Sequence, residues 1–319
     1  MNILLALLLS IVLAVAARAD EVVSIAASTK GTLFDQAATA IAKVATNNAG
    51  LTSTLRNYTS ASVFAPAVGR GQVDFGVANQ YEVTLALTGQ RYFEGRKQPT
   101  LRAIAVLFPV QIALFVKHDS TIQEIADLKG QRMPGGYVAN KIMLPLVDAA
   151  FAAGGLTRDD VVSLNVPSVS AGVDAFISGR TEGFLMAIRA PKVREAHARH
   201  GIRALPVENT PENLAAIRQH MPVAYLVLEG PGPAKPGIVQ PTPLITYDTL
   251  LFASTSTDDE VVYRMTRALY ENKKELVATT PAYRRFSREA MAKDLGVLEY
   301  HAGAIRFYRE HGLWPPTKR

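Results

Sequence analysis

The chain has no cysteine in its 319 residues. That absence excludes a disulfide scaffold, a thiolate zinc site, an iron–sulfur cluster and a cysteine nucleophile together. Tryptophan occurs once, and aromatic residues make up only 8% of the sequence. Basic residues interleaved with aromatics, the mark of a nucleic-acid groove, are not found, so no nucleic-acid partner is expected. The His-Glu-x-x-His pattern, the Gly-x-Ser-x-Gly elbow and the P-loop are missing too. Beyond the first twenty residues no charge-free apolar run reaches spanning length, and the mature chain is expected to be soluble.

What is present is a globular composition. Hydrophobic residues are 48% and charged residues 19% of the chain, too apolar for a disordered protein. At about 150 residues per domain, the length suggests two domains, each able to bury a core. The net charge is +6, from 34 Lys and Arg against 28 Asp and Glu, and the surplus is spread along the chain. A mild positive field of this kind helps attract a small anion. The densest basic cluster is Lys192, Arg194, His197, Arg199, His200 and Arg203. It reads as the solvated face of a helix and its exit. His197 and His200 have the i,i+3 spacing that can bring two imidazoles to a metal, but their basic setting favours two exposed helix histidines. No metal and no cofactor is expected.

The N-terminus speaks to compartment. Residues 3–17 are apolar apart from Ser10, and Ala17-Arg18-Ala19 follows as a small-x-small pattern. This predicts a secretory signal peptide, residues 1–19, cleaved after Ala19 to leave a periplasmic protein. No Lys or Arg precedes the apolar run, so a start codon further upstream and an uncleaved anchor are the alternatives.

The remainder alternates strand-like and helix-like segments. Strands are predicted over residues 21–27, 51–58, 73–78, 101–107 and 111–117, with helices over 35–46 and 62–69. The pattern then restarts. Helices are predicted over 140–153, 172–178 (with a Ser170 cap), 192–199 and 211–220, and strands over 160–166, 181–188, 202–207 and 222–228. A Pro/Gly loop at 230–237 precedes a strand over 241–253, a long amphipathic helix over 258–278 and a last helix over 303–311. Strand–helix alternation implies parallel sheets with crossover helices, an α/β class. The first unit is interrupted by the second, with extended crossovers near residues 108–116 and 243–253. The expected architecture is therefore two α/β lobes with a ligand cleft between them. Residues 20–108 and 243–319 form lobe 1, and residues 109–242, including the Pro/Gly loop, form the inserted lobe 2.

Two strand-to-helix loops carry candidate chemistry. Ser28-Thr29-Lys30-Gly31-Thr32 combines hydroxyls, a glycine and the free N–H groups of a helix start, which together make an anion site. Lys30 adds a charge-assisted hydrogen bond. The bland alternative is an ordinary turn with a Thr cap. The second loop is Gly135-Gly136-Tyr137-Val138-Ala139-Asn140-Lys141. Asn140 suits an N-cap, whereas Lys141 in the first turn opposes the helix dipole unless an anion lies near. An exposed lysine is the alternative there.

The closing run Tyr300-His301-Ala302-Gly303-Ala304-Ile305-Arg306-Phe307-Tyr308-Arg309-Glu310-His311-Gly312-Leu313-Trp314 resembles the ending of the TAXI-type solute receptors of TRAP transporters. Weaker matches occur in order at Gly71–Val77, Ile125–Gly130, Gly155–Val161 and Ile177–Gly183. The resemblance implies the type II periplasmic-binding-protein-like fold, hinge closure on a ligand, and delivery to membrane permease subunits in symport with an ion. Family ligands are small carboxylates. Of the family's glycine-rich first loop, which falls on residues 26–35, only Gly31 survives. The family's Gly-Ser-Gly-Thr stretch falls on residues 139–142, so both ligand loops depart from the pattern and both contain a lysine. A glutamate specificity is not carried over. The family's third ligand loop matches residues 77–81 and makes Asn79 and Tyr81 candidates. Arg189 sits at the end of a lobe 2 strand, in the expected cleft.

The candidate ligand set is therefore Ser28, Thr29, Lys30, Thr32, Tyr58, Asn79, Tyr81, Tyr137, Asn140, Lys141 and Arg189. Lys30, Lys141 and Arg189 are expected to clamp an anion, oriented by Thr29, Asn79 and Tyr137. The expected protein is a monomeric, non-catalytic receptor for a small anionic solute. An exported hydrolase or lyase on the same fold, and an ABC-type or sensor receptor, are the competing readings.

Overall fold

A computed structural model describes residues 21–316. The proposed signal peptide and its cleavage site lie outside the described residues.

The first α/β unit starts with β1 (Glu21–Ala27), α1 (Leu33–Ala49), β2 (Leu51–Asn57), α2 (Ala61–Gly69), β3 (Phe75–Asn79) and α3 (Gln80–Thr88). The long β4 (Leu101–Lys117) leads out of it. The second unit holds β5 (Arg132–Gly136), α4 (Met143–Ala152), β6 (Val162–Val166), α5 (Val169–Ile177), β7 (Gly183–Ala187), α6 (Pro191–His200), β8 (Ile202–Ala204), α7 (Pro211–His220) and β9 (Tyr225–Glu229). The chain returns through β10 (Thr242–Ser254) to α8 (Asp259–Glu271), α9 (Lys273–Thr279) and α10 (Ala302–Glu310).

The larger sheet runs β2-β1-β3-β10-β4-β7, with β8 also on β4 and β9 on β10. β1 pairs in parallel with β2 and β3, as expected where helices cross over between strands. β5 and β6 make a separate parallel pair. β4 and β10 tie the whole together. The early residues of β4 pair with the end of β10, and its later residues, from Ile112, pair with β7. Sheet continuity from one unit to the other therefore runs through these two antiparallel strands.

β4 is one strand where Pro109 suggests two. Pro109 lies opposite Asp248, and β7 joins β4 only from Ile112 onward. The register of β10 on β4 shifts close by, at Thr249/Leu250 and again at Leu251/Phe252. A proline is tolerated beside such irregularities and past the end of a neighbouring pairing, where its missing N–H costs no ladder bond. Elsewhere, residues 132–136 form a strand instead of part of a turn, and α5 is capped by Ser168, which accepts from the Ala171 N–H, rather than by Ser170. The predicted long helix over 258–278 divides at Asn272. The Asn272 amide donates to the Ala268 carbonyl, a local bond that competes with helix continuation.

The C-terminal run that carries the family resemblance has a packing role. His301 caps α10: its Nδ1 accepts from the Gly303 N–H, which leaves Nε2 to donate to the Ser254 carbonyl at 3.1 Å. Burial holds its imidazole below the usual pKa, consistent with this neutral tautomer. A side chain at Gly303 would overlap the Asp259 carbonyl, so glycine is what lets α10 meet α8. Tyr308 is fully buried and its hydroxyl donates to the Ile104 carbonyl at 2.6 Å. The motif thus fastens α10 to β4 and β10.

Candidate functional site

A cleft of about 690 Å³ opens between two walls, a volume within the usual range for small-molecule sites. One wall is α2 with residues 95–98, and the other is residues 138–141 after β5. Four cations line it: Arg70, Arg96, Lys97 and Lys141. Among the described residues none of the four forms an ion pair. Arg70 donates to Gln72, and Arg96 donates to the Tyr92 carbonyl and lies over the Phe93 ring. The lining holds hydroxyls from Thr59, Ser60 and Ser62 but, among the described residues, no carboxylate and no imidazole. Walls of one charge sign concentrate a field of that sign in a cleft, so this one attracts anions.

Of the three cations expected to form a clamp, Lys141 lines this cleft. Lys30 is exposed and outside the lining. Its loop is closed by the chain's own carboxylate. Asp35 accepts from the Gly31 N–H and from the Asn57 amide, both at 2.7 Å, and Asn57 also donates to the Ser28 carbonyl. Thr32 caps α1, accepting from the Asp35 N–H at 3.4 Å. Thr29 leans on the Tyr58 carbonyl at 3.4 Å, and Tyr58 directly precedes cleft-lining Thr59. Neither Tyr58 nor the loop is in the cleft lining.

Arg189 is bound elsewhere. It donates to Gln111 at 2.7 Å and pairs with Glu229 at 2.9 Å. Lys235 and Arg285 also pair with Glu229, and Arg285 reaches Gln111. Burial pushes the Glu229 carboxyl up, but hydrogen bonds from Lys235 and Arg189, with the Arg189 charge, outweigh it and hold the group at about 2. Nearby on β10, fully buried Asp248 accepts from Tyr225 at 2.8 Å and pairs with Lys293 at 3.2 Å. This network gathers β4, β9, β10 and the turn Pro281–Arg285 at the crossover.

Asn79 and Tyr81 are buried, at 2% and 5% exposure. Asn79 caps α3 by accepting from the Glu82 N–H at 2.8 Å, and the Tyr81 hydroxyl accepts from Arg91 at 3.1 Å. Behind them lies Glu82. Burial pushes its carboxyl up to about 7, against hydrogen bonds from Tyr92, Asn79 and the Ser62 N–H. The partner Ser62 is itself a cleft residue.

In the second loop, Asn140 does not cap α4, which starts at Met143 with no side-chain cap. Its side chain instead accepts from the Val169 N–H at 3.4 Å, pinning the loop to the start of α5. Tyr137 has φ 45° and follows Gly136 at φ 77°, while its ring is buried at 1% exposure. A tyrosine in this left-handed region stores strain of about 1 kcal/mol or more, a feature that concentrates at ligand-binding segments. This turn carries Val138, Ala139 and Lys141 out to the cleft.

Sequence reasoning misses Arg70, Arg96 and Lys97. Arg70 closes α2 as its C-cap, and residues 96–97 lie in a connection, so no periodicity marks them. Glu82 left a signal: Asn79-x-x-Glu82 is the spacing of a helix start, with Gly89 as the stop.

A family model described as NMT1-like matches residues 25–312. The chain belongs to the NMT1-like family. Solved structures similar to this NMT1-like chain share its fold at low identity. PhnD1 from Prochlorococcus marinus, in complex with methylphosphonate, is 9% identical with a TM-score of 0.57, covering 92% of this chain and 99% of that one. A putative sulfonate ABC transporter's periplasmic binding protein, SsuA from Methylobacillus flagellatus, is 14% identical with a TM-score of 0.55, covering 94% and 98%. MatC from Rhodopseudomonas palustris, with bound malate, is 12% identical with a TM-score of 0.55, covering 82% and 88%. The NMT1-like chain thus has the two-lobed α/β fold of periplasmic binding proteins.

Proposed function

We propose that the protein is an exported solute receptor that captures a small anion by lobe closure and hands it to a membrane permease. The observation that carries this reading is the cleft itself, with four cations that form no ion pair and no lining carboxylate among the described residues. The lobes are residues 20–108 with 243–319, and residues 109–242. On this division α2 and residues 95–98 belong to one lobe and residues 138–141 to the other. Export follows from the signal-like N-terminus, with cleavage after Ala19. Methylphosphonate, sulfonate and malate, named for the three similar structures, are all anions.

Binding without turnover is the simpler reading, because the lining supplies neither a carboxylate nor an imidazole for general acid–base work. The test is native mass spectrometry of the protein purified at low salt, followed by melting with the identified anion. A raised melting temperature and an anion unchanged after hours support a receptor. Steady conversion of the anion supports the hydrolase or lyase reading instead.

For the permease, the C-terminal run and the ordered segments favour a TRAP system of the TAXI type. An ABC-type partner is the second reading, favoured by the ABC transporter component among the similar structures. Uptake into proteoliposomes holding the cognate permease separates them. An ion gradient without ATP drives TRAP uptake, whereas an absolute need for ATP overturns it.

A further inference from the structure

We propose that the cleft takes an amphipathic anion, a charged head on an aliphatic body, laid along α2. This rests on the receptor reading and names the chemistry of its ligand.

Two cleft residues of α2 and its C-cap follow one another at helical spacing. Val63, Pro66 and Arg70 are separated by three and four residues, so they share one face of the helix and run along it. The face has a direction. Hydroxyls of Thr59, Ser60 and Ser62 lie at its start, the apolar pair Val63 and Pro66 in its middle, and Arg70 at its end. Arg96 and Lys97 come in at that same end. Residues 96–98 are anchored there, because a Cβ on Gly69 would meet the Gln98 side chain, and the Thr100 hydroxyl donates to the Gly69 carbonyl at 2.5 Å. One lysine or arginine near a helix C-terminus is ordinary dipole complementation, but three beside a cavity exceed that need.

The apolar middle is open. Val63 is 51% exposed, and Val138 on the other wall is 74% exposed. Both line the cleft, so a ligand body between them would take apolar surface on both walls out of water. From Val63 to Arg70 the rise is about 10 Å, at about 1.5 Å per residue. That span suits a head group followed by an aliphatic chain of roughly six to eight carbons.

The experiment uses butyrate, hexanoate, octanoate and decanoate as probes, titrated calorimetrically into the full mature chain at low ionic strength. Affinity is expected to rise about threefold per methylene as far as octanoate, then level off. In the double variant Val63→Ser/Val138→Ser, the climb with chain length should disappear. In Arg96→Gln/Lys97→Gln, all four probes should weaken about tenfold while the climb remains. Circular dichroism and the ligand-free melting temperature show that each variant folds. A flat chain-length series, or a climb that survives in the serine variant, overturns the proposal and leaves the receptor reading standing. If no probe binds and no small molecule is retained on purification, both fall.

Discussion

At the residue scale the cleft and the crossover use charge in opposite ways. Arg70, Arg96, Lys97 and Lys141 stand without carboxylates, whereas Arg189, Lys235 and Arg285 converge on Glu229. The first arrangement is suited to accept an anion from outside, and the second is already neutralised from within. Glu82 is a third case, a carboxylate whose folded pKa of about 7 lies above its ordinary 4.5. Between those two values the folded state keeps a proton that the unfolded chain has released, so stability falls as pH rises through this window. The loss is on the order of 3 kcal/mol, since each tenfold change in proton affinity is worth about 1.4 kcal/mol. Below pH 4.5 both states are protonated, and above about 7 neither is, so the effect is confined to the interval. Urea unfolding of the wild type and Glu82→Gln across that interval is the measurement. The wild type is expected to lose stability with rising pH and the glutamine variant to lose much less. Parallel curves would show that Glu82 titrates normally in the fold.

At the element scale, amphipathic helices are legible because their burial is one-sided, and the central strands because they are near-continuous apolar runs buried on both faces. Helix α1 buries Ala38, Ile41, Ala42 and Ala45 at helical spacing, and α8 buries Val262, Met265 and Leu269 likewise. Helix α3 escapes that reading because Gln80, Tyr81, Glu82 and Val83 are all buried in succession, so no face stands out. The candidate site is less legible than the fold. Asn79, Asn140 and Arg189 are chemically apt for a ligand, yet Asn79 is taken up by the local cap of α3, and Asn140 and Arg189 by partners that only the folded chain brings near. Conversely, Arg70 and Lys97 gain meaning only once α2 and residues 95–98 share a wall with the cleft. The C-terminal motif, the most family-like stretch, concerns packing, and Gly303 is its most constrained position. Gly303→Ala places a methyl group against the Asp259 carbonyl, backbone that cannot swing aside. It is expected to cost about 2–4 kcal/mol, with Ala302→Ser on the exposed side as a near-neutral control. Thermal melting of the two variants checks this, and equal melting temperatures would sink the close-crossing account.

At the scale of the whole molecule, the proposed closure would pass through β4 and β10, the strands that carry the sheet from one unit to the other. Their pairing extends from Leu101 opposite Ser254 to Ile112 opposite Ile245, with both register shifts inside that span and Pro109 nearby. Bulges sharpen local twist and bend, so the proposed rotation would concentrate at this stretch. Val63 and Val138, on the facing walls of the cleft, are both exposed, so separating the walls there would expose little further apolar surface. On that reading, four like charges around the cleft would oppose closing in the ligand-free protein, and a bound anion would relieve them. Ligand should therefore shift the population toward the closed form. The absence of native cysteine makes this directly measurable, since any thiol in the protein is an introduced one. With Ser62→Cys on one wall and Ala139→Cys on the other, disulfide formation under mild oxidant reports how often the walls meet. The rate is expected to rise several-fold with octanoate, or with the anion retained on purification, and high salt should raise the ligand-free rate by screening the cations. A rate indifferent to both would mean that the walls do not approach on binding, and that the cations hold the ligand in a cleft of fixed width.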